Sequence, residues 1–224
     1  MNIAFIPVRG GSKSIPLKNI KIINGKPLVY WTAKAANDAK CIDRVIVATD
    51  SQEIEEVVKS FELPKVEIYK RSSRNATDTA STESVMLEFI SQSDLKSKDN
   101  FFLIQATSPL LKSEYIENMY KKFLAIGVDS MFSGVVEKQF HWIKCEDKIK
   151  PVNYDYRDRP RRQNFEGLIV ENGACYINSV TNILKDKCRL SGKIGFYELP
   201  AYTAYELDEE EDWVIIEALM RRYD

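Results

Sequence analysis

Histidine is almost missing from this chain of 224 residues: His141 stands alone. The four cysteines, Cys41, Cys145, Cys175 and Cys188, are widely separated and form no C-x-x-C pair. Together these shortages argue against a zinc site and against a disulfide framework. No apolar run approaches the roughly 18 residues of a membrane span, and no basic and apolar leader precedes the first strand-like segment, so the expectation is a soluble, cytoplasmic protein. Charge of one sign is also lacking, with 32 Lys and Arg against 33 Asp and Glu. No global field therefore draws the protein to nucleic acid or an anionic membrane, and an anion site has to be built locally. There is no linker-like stretch, internal repeat or low-complexity tract. With 44% hydrophobic residues the chain can bury one sizeable core, and one domain over 1–224 is expected.

Two familiar phosphate-binding loops are absent too. A P-loop requires G-x-x-x-x-G-K-[ST], and at Gly25-Lys26-Pro27 a proline stands where the metal-binding hydroxyl belongs. A dinucleotide fingerprint requires G-x-G-x-x-G, and only Gly10-Gly11 occurs. The sequence does have Arg9-Gly10-Gly11-Ser12-Lys13-Ser14-Ile15-Pro16-Leu17-Lys18-Asn19, which follows a β-branched and aromatic strand at residues 2–8 and precedes a helical stretch at 27–39. Its glycines can let backbone N–H groups approach phosphate oxygens, while Arg9, Lys13 and Lys18 neutralise charge. A basic surface turn is the plainer alternative.

Further strands are expected at 45–48, 66–69, 101–105, 131–136, 174–177 and 194–198, with helices at 82–93, 113–126 and 209–221. Another helix should run to Phe61 from an Asp50-x-x-Glu53 capping box. Alternating β and α segments predict an α/β sandwich with a mostly parallel sheet. Residues 137–168, rich in Arg, Asp, Tyr and Pro, break the alternation and are expected to form a lid or an oligomerisation arm.

Other polar groups fall near strand ends. The stretch from Arg71 to Thr82 is dense in small hydroxyls and ends at a helix start, which suits a base and ribose or an ordinary capped loop. Gln105 closes an apolar strand with a carboxamide, able to read a sugar hydroxyl or tie down a turn. Arg157, Arg159, Arg161 and Arg162 can bind a carboxylate or form a solvated face. Glu206 and Asp208 place two oxygen ligands on one side of an extended segment, as Mg²⁺ would need, although acids there also complement a helix dipole. No Ser-His-Asp arrangement is recognisable, so a nucleophile supplied by a substrate fits better.

In this order, Ile6-Pro7-Val8-Arg9-Gly10-Gly11-Ser12-Lys13, Lys18-Asn19, Ala48-Thr49-Asp50, Asp78-Thr79-Ala80-Ser81, Gln105-Ala106-Thr107-Ser108-Pro109 and Asn172-Gly173-Ala174 resemble the acylneuraminate cytidylyltransferases. Phe140-His141-Trp142 and Arg161-Arg162-Gln163 look closer to the animal-type branch. The resemblance implies a Rossmann-like nucleotidyltransferase fold, a homodimer or dimer of dimers with 137–168 as the dimerisation arm, and transfer of CMP from CTP to a nine-carbon 2-keto sugar acid with Mg²⁺ as cofactor. By positional matching, Arg9, Gly10, Ser12, Lys13, Asn19, Arg71, Thr79, Ala80 and Thr82 would hold the nucleotide. Gln105, Asn172 and Arg162 would meet the sugar, and Glu206 and Asp208 the metal. Arg162, Lys18 and Asp208 would act at the reacting centre. The acceptor stays open among sialic acid, KDN, pseudaminic acid, legionaminic acid and Kdo, and a non-catalytic nucleotide-binding protein is the rival of another class. One departure is visible: Glu206-Leu207-Asp208 stands where the family typically has Asp-x-Asp.

Overall fold

The computed structural model describes residues 1–11, 15–77 and 79–223. In chain order it comprises β1 (Asn2–Pro7), a ribbon of β2 (Ile22–Ile23) and β3 (Lys26–Pro27), α1 (Leu28–Asp38), β4 (Arg44–Thr49), α2 (Gln52–Lys59), β5 (Val66–Lys70), α3 (Thr82–Gln92), β6 (Asn100–Ile104) and α4 (Ser113–Ile126). There follow β7 (Ser130–Glu137), a hairpin of β8 (Trp142–Cys145) and β9 (Lys148–Pro151), β10 (Leu168–Ser179), α5 (Val180–Asp186), β11 (Ile194–Glu198) and α6 (Glu210–Tyr223). Among the described residues no helix is long and apolar enough to cross a membrane.

Seven strands make the main sheet in the order β11-β7-β10-β6-β1-β4-β5. All neighbours pair in parallel except β10, which is antiparallel to both β6 and β7. The expected mostly parallel α/β sheet is thus present, with one reversed strand. Period-two alternation divides β1 between two cores: Ala4 and Ile6 join α1, α2 and α4 on one face, while Ile3 and Phe5 join α3 and α5 on the other. Each such fully buried Ile or Phe contributes about 1.5–3 kcal/mol of apolar transfer, which fixes which face each loop leaves from. A third cluster seats Ile216 and Met220 of α6 against Ile15, Ile23, Leu28 and Leu207.

The chain runs outward from β1 to β4 and β5, then returns to β6 on the other side of β1. The order reverses there, so the loops after β1, β4 and β6 diverge and leave a crevice at the carboxyl edge of the sheet.

Several elements differ from the sequence reading. Ser51, not Asp50, caps α2, its hydroxyl accepting the Ile54 N–H at 3.4 Å. Strand β10 begins at Leu168 and absorbs the end of the segment read as irregular. That segment also contains the β8–β9 hairpin, and α5 follows β10 directly, neither of which the periodicity indicated.

Candidate active site

The crevice is a cleft of about 490 Å³, lined among others by Arg9, Lys18, Asn19, Arg71, Ala80, Thr82, Gln105 and Asp208. Eight positions singled out from four separate stretches of sequence therefore meet at one place. A volume in the range of about 300–1,000 Å³ suits a small-molecule ligand.

The loop after β1 forms the first wall. Leu17 takes a left-handed conformation (φ 50°) and leads into a single 3-10 turn, Lys18–Ile20. From that turn the Lys18 ammonium reaches the Leu207 carbonyl at 2.8 Å and the Asp208 carboxylate at 3.1 Å. Asn19 is buried, and its amide donates to the Arg9 carbonyl at 3.1 Å, bracing the loop across its width while it lines the cleft. Gly10 departs from the phosphate-cradle expectation. Its N–H donates to Asp50 Oδ1 at 3.2 Å, so it is committed within the protein rather than to a ligand. It is glycine for a packing reason: a Cβ there would stand 2.9 Å from Ser51 Cβ at the start of α2. Ser12 and Lys13 lie outside the described residues.

The second wall comes from the ends of β4 and β5 and the start of α3. The Arg71 guanidinium donates to Asp50 Oδ1 through Nη2 at 2.9 Å and Nε at 3.2 Å, and its side chain is only 6% exposed. One carboxylate oxygen thereby joins the phosphate-loop backbone to a cleft-lining cation. Helix α3 opens onto the cleft with Ala80, Ser81 and Thr82, and the Ser81 hydroxyl caps it by accepting the Ser84 N–H at 3.1 Å. The positive end of the helix dipole therefore lies at the cleft wall. Thr79 is exposed just ahead of that lining, its hydroxyl 3.3 Å from that of Thr77.

The third wall joins β6 to the segment before α6. Gln105 follows β6, and Glu206 approaches it across Gly173: a Cβ on Gly173 would lie 2.7 Å from Gln105 Oε1 and 2.9 Å from Glu206 Oε1. Gly173 has φ +65°, so both the conformation and the space demand glycine. The cause is a bulge: β10 slips register against β7 between Glu171 and Tyr176. Burial, with the negative Asp208 and Glu171 nearby, pushes the Glu206 carboxyl up to about 7, against the opposing influence of Lys18.

Two residues expected at the sugar, Asn172 and Arg162, do not line the cleft within one chain. Asn172 does not offer its amide to the cleft. It is buried at the bulge, where its Oδ1 accepts from the Ser133 hydroxyl (2.9 Å) and the Ala174 N–H (3.3 Å), and its Nδ2 donates to the Thr203 carbonyl and hydroxyl (both 3.2 Å). A saturated carboxamide holds the bulge that carries Gly173; it has no capacity left for a sugar. Arg162 lies on a 3-10 turn (Arg162–Asn164) of the exposed arm and lines a different concavity with Lys138, Phe140, Arg159 and Arg161. Within one chain it is not among the residues lining the main cleft.

Sequence reasoning gave no site role to two carboxylates that organise these walls. Asp50 directly follows β4 at the ligand edge of the sheet, a position that could have flagged it. Glu88, on the second turn of α3, carries no local signal; only the folded chain brings it to Ser72 and Asn75.

Among the described residues no group of three or more His, Cys, Asp or Glu side chains is arranged to hold a metal. The Glu206 and Asp208 pair could supply part of an oxygen shell for a hard cation, with phosphate oxygens and water completing it.

A mixed sheet whose crevice presents cations, hydroxyls and a helix start on one side and carboxylates on the other defines an α/β protein with a polar small-molecule cleft at its switch point. Comparison with known proteins narrows the class. The cytidylyltransferase family model matches residues 3–165. N-acylneuraminate cytidylyltransferase of Oncorhynchus mykiss is 35% identical over 98% of this chain and 50% of its own length, and that of Streptococcus agalactiae is 28% identical over 95% and 51%. The chain thus spans about half the length of the curated relatives it matches. Among solved structures, a CMP:2-keto-3-deoxy-manno-octonic acid synthetase complexed with CTP aligns with TM-score 0.70 at 17% identity, covering 99% of this chain and 98% of that one. A 4-diphosphocytidyl-2C-methyl-D-erythritol synthase aligns with TM-score 0.72 at 14% identity, covering 98% of each. At such identities the likeness is one of fold. The chain belongs to the cytidylyltransferase family, and the fish relative is more similar to it than the streptococcal one, as the animal-type motifs lead one to expect.

Proposed function

We propose that this chain, as one cytidylyltransferase domain, transfers CMP from CTP to the anomeric hydroxyl of a sialic-type 2-keto sugar acid and releases pyrophosphate. The observation that carries the reading is the convergence of Arg9, Lys18, Arg71, Thr82, Gln105 and Asp208 on one cleft at the sheet's switch point. The relatives named for this reaction at 33–35% identity over nearly the whole chain support it.

The chemistry follows from the lining. The anomeric oxygen attacks the α-phosphorus; its bond to phosphorus forms as the bridging bond to pyrophosphate breaks, and the anomeric proton is released. The sugar supplies the nucleophile, so the protein's part is positioning and charge neutralisation. Arg9 and Lys18 neutralise phosphate oxygens, with Lys18 aimed by Leu207 and Asp208. Arg71, Ala80 and Thr82 border the base and ribose, and Gln105 borders the sugar. Glu206 and Asp208 would hold Mg²⁺, since a dication would offset the burial and the like-charge crowding that raise Glu206. When bound there it would polarise the phosphate that is attacked.

The arm extends the reading to a second copy of the chain. Trp142, Ile143, Ile149 and Val152 are large, apolar and 48–70% exposed on or beside the β8–β9 hairpin. Internally the arm is held by aromatic contacts, Phe140 lying 4.2 Å from Tyr154 and 5.0 Å from Phe165 between ring centroids. A dimer would cover the apolar face and bring Arg162 of one copy toward the sugar end of the other's cleft. Free cysteines suit a reducing, cytoplasmic location.

The test is Mg²⁺-dependent pyrophosphate release with CTP against N-acetylneuraminate, KDN, pseudaminate, legionaminate and Kdo, with UTP, ATP and GTP as nucleotide controls. Release with CTP and one nonulosonate is expected. CTP binding without release on any acceptor would instead favour a nucleotide-binding protein without catalysis.

A further inference from the structure

We propose that Glu88 is a positioning residue for the nucleotide: from outside the cleft, its carboxylate clamps the 71–75 loop to helix α3 and so presets Arg71. The inference rests on the nucleotide reading of the cleft given above.

Glu88 is half-buried on the inner side of α3 and is not among the residues that line the cleft. Four donors converge on it. Its Oε1 accepts the Ser72 backbone N–H at 2.9 Å and the Tyr69 hydroxyl at 2.8 Å; its Oε2 accepts the Ser72 hydroxyl and the Asn75 amide. A carboxylate has about four acceptor sites and no donor, so the set is matched in number and kind. Ser72 immediately follows Arg71, whose guanidinium is fixed from the other side by Asp50. The backbone beyond Arg71 is thus held by Glu88 and its side chain by Asp50, while Asp50 also takes the Gly10 N–H. Two carboxylates in series register the phosphate loop, the end of β5 and the start of α3 against one another. Without them the loop from residue 71 to the α3 cap is left with the Arg71 N–H on the Thr49 carbonyl at 3.1 Å, the Asn75 amide 3.4 Å from the Ser84 carbonyl and one 3-10 turn (Ser73–Asn75). A site whose walls are preset spends less of its binding free energy on ordering them.

Glutamine at position 88 keeps the volume but removes the charge and offers one acceptor oxygen in place of two, so the Ser72 hydroxyl and the Asn75 amide lose their charge-assisted bonds to Oε2. In Glu88→Gln the dissociation constant for CTP should rise about tenfold or more, while the acceptor KM stays within about twofold and kcat at saturating CTP within about threefold. Ser72→Ala, which removes one donor, should shift CTP binding in the same direction by a smaller factor. A purely structural role would lower the melting temperature and leave that split unmoved, so an unchanged CTP affinity in Glu88→Gln overturns the clamp. Should that variant fail to fold, Ser72→Ala combined with Asn75→Ala carries the same test from the donor side, and unaltered CTP affinity there overturns it equally. Arg71→Ala serves as the control for the reading beneath. If it weakens CTP while Glu88→Gln does not, the clamp alone is wrong; if neither weakens CTP, the nucleotide assignment of the cleft falls with it.

Discussion

The cleft and the arm carry comparable numbers of functional-looking side chains, yet they are organised in opposite ways. Around the cleft, polar groups are tied to one another: Lys18 to Leu207 and Asp208, Arg71 to Asp50, Asn19 to Arg9, Glu88 to four donors. On the arm, Arg157 and Arg159 lie over Tyr156 and Phe140, and Arg161 and Arg162 border an open concavity among exposed apolar residues. The first region is preorganised by its own fold, whereas the second has its chemistry on a surface that one chain leaves uncovered. On the proposed reading, nucleotide recognition would belong to a single chain, and acceptor recognition would depend on where the arm docks.

The comparison can be pressed hardest at Asp208, where the cleft's carboxylate pair meets Lys18. Asp208→Asn removes a charge without changing shape, and turnover should fall about a hundredfold or more, equivalent to about 3 kcal/mol of transition-state stabilisation, with little change in melting temperature. Steady-state pyrophosphate release checks this; near-wild-type turnover would remove Asp208 from the chemistry.

Asn172 sharpens the contrast from the structural side. Asn172→Ala leaves the buried Ser133 hydroxyl and the Thr203 groups short of a partner, so a loss of about 1–3 kcal/mol in unfolding free energy is expected by denaturant titration. CTP affinity should hardly change. A variant as stable as wild type but with a raised acceptor KM would return Asn172 to the sugar.

The smallest effect expected is on the pH dependence of stability at Glu88, a contribution that fades in acid. Burial resists its ionisation, but the Ser72, Tyr69 and Asn75 donors outweigh that and bring its carboxyl down to about 2 from 4.5. A depressed acid stabilises the fold above its unfolded value and loses that contribution as pH falls from about 4.5 toward 2. Wild type should accordingly be more stable than Glu88→Gln at pH 6, with the gap closing by pH 2 to 3 in parallel denaturant titrations. A gap independent of pH would mean that Glu88 acts there without its charge.

Most of the fold was legible because its signals are local. β1, β4, β6 and β11 are short apolar runs, and Ser113–Ile126 shows helical periodicity to its final residue. What escaped depends on partners distant in sequence. The polar Glu171-Asn172-Gly173 interrupts the apolar pattern of β10 because the strand bulges there, and the bulge exists only against β7, Ser133 and Thr203. The β8–β9 hairpin is almost wholly exposed, so no buried face imposes alternation on it. α5 has only seven residues, too few for a period. At the site, residue types at strand ends located Arg9, Lys18, Arg71 and Gln105. The internal partners of the Asn172 amide and the Gly10 N–H were not legible, because a sequence does not reveal which polar groups bond one another.

The most direct test is equilibrium binding of CTP to Arg71→Ala and Arg162→Ala side by side, with acceptor-dependent turnover measured on the same preparations. Arg71→Ala should weaken CTP about tenfold or more. Arg162→Ala should leave CTP binding within about twofold of wild type while acceptor-dependent turnover collapses. Loss of CTP binding in Arg162→Ala, or its retention in Arg71→Ala, would contradict the assignment of the nucleotide to the cleft and the acceptor to the arm.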